Sequence, residues 1–371
     1  MTKKDQQKPE YYQDYLELDR ILNSQHPNSA KQGKYAHDEM LFIIIHQVYE
    51  LWFKQIIYEL DSIISIFSKK DINESNIGTA VSRLERIIEI QKILIDQVGV
   101  LETMTPMDFL DFRDYLVPAS GFQSKQFRLI ENKLGLDQKN RYTYGNSNYK
   151  TYLNKEDSQE VKTSEEGTNL FLLMEKWLER TPFLNWGKTS FWKEYESAVD
   201  EMLKEDISMI DANKNFSEKE IKIHIKHHET TKKSIRVVID KNKHNAMVKD
   251  GEWRLSHRAT QAALLILLYR DQPILYNPYK FLTKLVDVDE LFTTWRYRHV
   301  LMVSRMIGKK IGTGGSTGSK YLNKTAEKHQ IFKDINELTT FLIPRSSLPS
   351  LPSEIEDDLG FYYHVRKKNG K

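Results

Sequence analysis

HDEMLFIIIHQVYELWFKQIIYELDSIISIF, residues His37 to Phe67, decides the fold. Leu41, Phe42, Ile45, Val48, Leu51, Trp52, Ile56, Leu60, Ile63 and Ile64 recur at three- and four-residue steps, the spacing that stacks side chains along one side of an α-helix. No Gly or Pro interrupts them. The stretch predicts a long helix, too apolar to lie on a surface, so other helices must cover it.

Outward from this segment the same period continues. Thr79 to Gln97 and Pro106 to Tyr115 read as helices; Pro118 and the Ser120-Gly121 pair then punctuate the chain before another helical stretch through Leu136. Helical spacing returns over Asn169 to Arg180, Ser190 to Asp211, Arg254 to Arg270, Pro278 to Ile311 and Tyr321 to Leu342. Asp137 to Gly167 is polar and weakly periodic, and residues 137–168 read as a solvated loop insertion. Ser217 to Asn245 is amphipathic and rich in Lys, so 217–245 reads as a charged helical excursion from the core. No strand-turn-strand pattern and no repeat of solenoid length is present. With 16 Gly and 10 Pro in 371 residues, turn chemistry is scarce, which disfavours all-β folds. The expectation is an all-α protein, a large helical bundle forming a single domain over 1–371.

Charge and cysteine content exclude several functions. Lys and Arg total 55 and Asp and Glu total 52, a net charge of +3, so neither the concentrated basic face of a nucleic-acid binder nor a nucleic-acid partner is expected. The absence of cysteine removes disulfides, thiolate-bound zinc or iron and cysteine nucleophiles, leaving His and carboxylates as metal ligands. The opening MTKKDQQKPE lacks a signal-peptide apolar stretch and no run of about 18 apolar residues occurs, so a soluble cytoplasmic protein with no membrane partner is expected.

Candidate chemistry rests on a few side chains. His46 lies inside the apolar helix, with Phe42 one turn before and Glu50 one turn after; it reads as a site residue or as a core imidazole satisfied by a carbonyl. His299 shares a helical stripe with Phe292, Trp295, Met302 and Met306, a setting that suits an axial haem ligand or a plainly packed histidine. Phe109 and Arg113 fall on one helical face and could clamp a carboxylate beside an aromatic ring; the alternative is an Arg balanced by Asp111 and Asp114. IGTGGSTGSK, Ile311 to Lys320, lacks the spacing of a phosphate-binding loop and reads as a mobile loop that could close on a ligand or as a plain connection. His224, His227, His228 and Glu229 have helical metal-ligand spacing but sit in the most charged part of the chain and read as a solvated face.

Four long blocks, HDEMLFIIIHQVYELWFKQ, FRDYLVPASGFQSKQFRLIENKLG, WRYRHVLMVSRMIGKKIGTGGSTG and FLIPR, together with YYQDYLELDRIL and LERTPFL, resemble the tryptophan 2,3-dioxygenase family nearly end to end. The resemblance implies an all-helical homotetramer, a dimer of dimers, enclosing a haem pocket and exchanging an N-terminal segment between subunits. It implies heme b, ferrous when active, and O2-dependent cleavage of the indole C2–C3 bond of L-tryptophan to N-formyl-L-kynurenine. By the same resemblance His299 is the iron ligand, with Trp295 and Ser120 beside the cofactor. His46 is the distal catalytic histidine, and Phe42, Ile43, Ile44, Ile45 and Phe109 lie around the indole. Arg113 pairs with the substrate carboxylate, Thr313 meets its ammonium and carboxylate, and Tyr12 and Tyr15 come from a neighbouring subunit. Phe109 replaces a Tyr found in some bacterial members, and Ser304 replaces a His or Glu found in others. Two other functions fit less of this set: a related haem enzyme oxygenating a substituted tryptophan, and a non-catalytic haem- or tryptophan-binding regulator.

Overall fold

The computed structural model describes residues 10–361 except 138, 140, 142–152, 183, 185–190, 214, 309 and 311–328. Among the described residues every regular element is a helix. Three short helices, α1 (Tyr12–Tyr15), α2 (Leu18–Leu22) and α3 (Asn28–Lys31), lead into α4 (Asp38–Phe67). Then come α5 (Glu74–Leu101), α6 (Pro106–Arg113), α7 (Lys125–Leu134), α8 (Lys155–Glu166), α9 (Leu170–Glu179) and α10 (Phe191–Ala212). The chain continues through α11 (Glu218–Ile239), α12 (Lys241–Asp250), α13 (His257–Leu268) and α14 (Tyr276–Ile307). The last two helices, α15 (Lys333–Glu337) and α16 (Ser353–Leu359), are short.

Local chemistry sets the boundaries. Thr105 opens α6 with a reciprocal cap: Asp108 N–H donates to its hydroxyl at 3.3 Å, its own N–H donates to Asp108 Oδ2 at 2.9 Å, and Pro106 occupies the first turn. Gly135 ends α7 at φ +105, and a Cβ there would lie 2.6 Å from both Asn169 Oδ1 and Phe171 Cβ, so only glycine fits. Three expectations need correction. Part of the polar insertion is helix α8, capped by Asn154 and pinned by buried Val161. The single helix expected over Ser217 to Asn245 is two, because the Asp240 carboxylate stops α11 and caps α12 by accepting from Asn242 and Lys243 N–H. In place of a long helix over Tyr321 to Leu342, the described part holds only α15 and a 3-10 turn, Leu338–Phe341. There buried Asp289 accepts from the Ile331 and Phe332 amides at 2.8 and 3.0 Å, pairing them outside any helical ladder.

The long helix α5 packs along both α4 and α14, and the three surround the main core, where Phe67 of α4 stacks on Phe281 of α14 at 4.6 Å. A smaller apolar cluster gathers Ile45, Val98, Leu101, Met104, Phe112, Met302 and Met306 toward one end of the same helices. Helix α4 is, among the described residues, the one helix long and apolar enough to cross a bilayer by length and composition. Here it packs against α5 and α7, and its buried Glu59 pairs with Arg83 and Arg86 at 3.3 and 2.7 Å.

Candidate active site

Where the two clusters meet, the bundle leaves a cavity of about 310 Å³. Helix α4 gives it Phe42, His46, Tyr49, Glu50 and Phe53, residues that share one face by helical periodicity. Helix α14 gives it Trp295, Arg296, His299, Met302, Val303, Met306 and Ile307, a stripe about 18 Å long at 1.5 Å per residue. Both histidines singled out in the sequence therefore line one cavity.

His299 is half-buried among apolar neighbours, its ring parallel to Trp295 at 9° with centroids 5.7 Å apart. Burial, with a smaller contribution from His46, pushes its imidazole down to about 4, so the ring is neutral at ordinary pH. Among the described residues its ring nitrogens make no hydrogen bond. A desolvated neutral imidazole with a lone pair facing a cavity is the donor that an axially ligated haem iron requires. No group of three His, Asp or Glu that could hold a bare metal ion occurs among the described residues, so the donor set fits an iron that brings its own macrocycle.

His46 is differently held. Its Nδ1 lies 2.7 Å from the Phe42 carbonyl oxygen, which can only accept, so Nδ1 carries the proton and Nε2 is left as an acceptor. The residue is exposed and lines the cavity. Burial lowers its pKa, opposed by the Phe42 bond and the charge of Glu50. Glu50 itself accepts from the Gln126 side chain at 2.8 Å.

Toward one side the wall becomes aromatic and then cationic. Phe42, Phe109 and Phe112 form a cluster with centroids 5.4 to 6.0 Å apart, and Phe42 lies 4.1 Å from the His46 ring. Arg113 follows on α6, 20% exposed, its Nη1 a long 3.7 Å from the solvated Asp114 carboxylate. Ser120 completes this wall, its hydroxyl accepting from Phe122 N–H at 3.3 Å.

The remaining candidates divide. Ile43, Ile44 and Ile45 do not line the cavity, because at about 100° per residue they rotate away from the Phe42 and His46 face; Ile45 is core and Ile44 is exposed. Tyr12 and Tyr15 are 75% and 72% exposed and lie outside it. Thr313 and the Gly-rich loop lie outside the described residues. The His224, His227 and Glu229 side chains are exposed on α11 and His228 is only partly covered. Sequence reading missed Arg128, Glu131, Arg296 and His329, which line the other end. The only signal for them was charge within otherwise apolar stripes, which by default reads as solvated surface.

A helical bundle with two imidazoles from different helices in one apolar cavity, and a guanidinium beside an aromatic cluster on its wall, defines a class. It suits proteins that hold a flat, axially ligated prosthetic group next to a small charged aromatic substrate. The family model described as tryptophan 2,3-dioxygenase matches residues 2–342. Curated relatives of that name come from Bdellovibrio bacteriovorus, 51% identical over 96% of this chain and 99% of the relative; from Dictyostelium discoideum, 46% over 97% and 90%; and from Alteromonas mediterranea, 44% over 95% and 98%. The chain belongs to the tryptophan 2,3-dioxygenase family, whose members depend on haem.

Proposed function

We propose that the chain is a haem-dependent dioxygenase that cleaves the indole C2–C3 bond of L-tryptophan with O2, giving N-formyl-L-kynurenine. The observation that carries this reading is the meeting of His46 and His299 in one apolar cavity that also holds Phe42, Phe109 and Arg113.

His299 would hold the iron through its neutral imidazole, with the parallel Trp295 ring limiting rotation of the imidazole plane. When bound, heme b with ferrous iron supplies the oxygen activation. The chain's own residues bind and orient the substrate. Phe42 and Phe109 offer the indole two aromatic faces, and Arg113 offers the carboxylate a charge-assisted, two-pronged contact. His46 Nε2, left as an acceptor by the Phe42 bond, takes a hydrogen bond from the indole N–H. That proton is too weakly acidic for an imidazole to remove readily, so His46 acts by orientation. Ser120 borders the same pocket; Thr313, outside the described residues, takes the substrate ammonium and carboxylate by resemblance to the family alone. Both oxygen atoms enter the product, so no external reductant is consumed per turnover.

The working assembly is a homotetramer, a dimer of dimers, in which the N-terminal segment crosses to a neighbouring subunit. Support comes from Tyr11, Tyr12 and Tyr15, three aromatic rings at least 72% exposed around the short helix α1.

The test is direct. The full-length chain is loaded with haem, reduced, and given L-tryptophan and labelled O2; the expected product carries two labelled oxygens, and His299→Ala neither retains haem nor turns over. One added oxygen would favour an oxygenase of another type, and tryptophan binding without turnover would favour a regulator.

A further inference from the structure

Residues 24–36 run as a strap against α4 and the end of α6, and one buried carboxylate fastens them. Glu39, in the first turn of α4 and 1% exposed, accepts from the Asn28 amide at 2.7 Å through Oε1 and from the Ser29 amide at 2.9 Å through Oε2. These are the first two amides of α3, and Pro27 before them offers no side-chain acceptor, so a carboxylate from another helix caps α3. Ser29, itself fully buried, takes the Ala36 amide on its hydroxyl at 3.0 Å and closes the strap on itself. Ala36 then enters the apolar cluster against which Phe42, Phe109 and Tyr115 pack. Further up the strap, the Gln25 side chain donates to that of Gln47, the neighbour of His46, at 2.7 Å.

The strap also reaches the substrate side. The Asn28 side-chain amide donates to the Tyr115 carbonyl at 3.3 Å, two residues past Arg113. That carbonyl belongs to the turn that ends α6, where the Tyr115 amide returns to the Phe112 carbonyl at 3.0 Å and the Leu116 amide to the Arg113 carbonyl at 3.1 Å. Helix α6 has only eight residues, so little of its own length fixes the angle at which Arg113 leaves it. A two-pronged contact between guanidinium and carboxylate is sensitive to that angle, because a small rotation breaks one prong and keeps the charge.

We propose that Glu39 is a positioning residue for the substrate clamp: it caps α3, and through the Asn28 side chain the capped strap holds the last turn of α6 so that the Arg113 fork meets a carboxylate squarely. The inference rests on the assignment of Arg113 to the substrate carboxylate made above. A purely structural carboxylate would affect every ligand of the cavity alike, whereas this one acts on ligands that carry a carboxylate.

The experiment titrates the full-length, haem-loaded chain with L-tryptophan and with tryptamine, and the readout is the ratio of the two dissociation constants. Asn28→Ala, at an exposed position, removes the tie to Tyr115 and should cut the advantage of tryptophan by about threefold, with tryptamine affinity and haem content unchanged. Glu39→Gln, which turns a donor toward one of the two α3 amides, should cut it by about tenfold. The double variant should be no worse than Glu39→Gln alone, since both residues act along one path. A wild-type ratio in Asn28→Ala overturns the proposal, as do losses that multiply in the double variant or a Glu39→Gln chain that loses both ligands equally. A wild type with no preference for tryptophan over tryptamine sinks the Arg113 assignment itself. Should Glu39→Gln not fold by circular dichroism, Asn28→Ala still decides.

Discussion

Replacing Arg113 by Ala tests the substrate clamp quantitatively. The guanidinium is 20% exposed on the cavity wall, and its nearby carboxylate, Asp114, is 88% exposed and 3.7 Å away, a loose pair of the kind that contributes little. A bound amino-acid carboxylate would be its stronger partner. Removing one member of a desolvated charge pair costs about 2–5 kcal/mol, and the residual solvent access of Arg113 argues for the lower half of that range, about 2–3 kcal/mol. At about 1.4 kcal/mol per decade this is a weakening of L-tryptophan binding by roughly 30- to 150-fold. Titration of the haem-loaded chain with L-tryptophan and with tryptamine, which lacks the carboxylate, isolates the effect. Arg113→Ala should show the loss for tryptophan and almost none for tryptamine, with unchanged haem content, and Arg113→Lys should recover part of it because charge survives and the fork does not. Equal losses for both ligands, or none for tryptophan, would show that the carboxylate is held elsewhere.

Three more outcomes follow from the geometry. His46→Ser should lower turnover without abolishing it, since the residue orients the indole; complete inactivity with normal haem and tryptophan binding would mean that His46 does obligatory proton chemistry. His46, His257, His299 and His329 are all held below their ordinary value of 6.5, first by burial. Below about pH 6.5 the unfolded chain therefore binds protons that the native chain refuses, and stability that is full above that pH falls on acidification toward 4. Asp289, pushed up to about 6 by burial, opposes this, as do Glu74, Glu175 and Asp334, which burial also raises, while Glu131, held well below its usual range, adds to the loss. Because the ordinary imidazole value of 6.5 puts the histidine loss inside the window from pH 7 to 5, the haem-free chain should melt lower at pH 5 than at pH 7, and an equal or higher melting temperature would contradict the burial of these imidazoles. Finally, a Tyr12→Ala/Tyr15→Ala chain mixed with a His299→Ala chain should regain activity in hybrid oligomers if each α1 serves a neighbour's site, and mixtures no more active than their parts would place those tyrosines elsewhere.

The helical architecture was readable locally. The apolar period from His37 to Phe67 became α4 almost to the residue, and Pro106 after Thr105 marked the start of α6, because helix formation depends on neighbours three and four positions apart and on the capping side chain. Breaks made by a single side chain were harder to see. Asp240 splits the charged excursion, and Asn154 with Val161 turns part of a polar insertion into helix α8. In both cases a local cap or one buried contact outweighed the overall polarity on which the reading relied.

By itself, the amino-acid order settled the all-helical class, the turn-by-turn faces of α4 and α14, and the family likeness carried by its long blocks. Only the tertiary structure decided that His46 and His299 share a cavity, that Ile43 and Ile44 do not belong to it, and that Arg128, Glu131 and Arg296 are buried at its end. The reason is physical. Periodicity along one helix records which residues share a face, whereas what that face meets depends on how distant helices pack, and a charge within an apolar stripe reads the same whether it points to water or into a desolvated cluster.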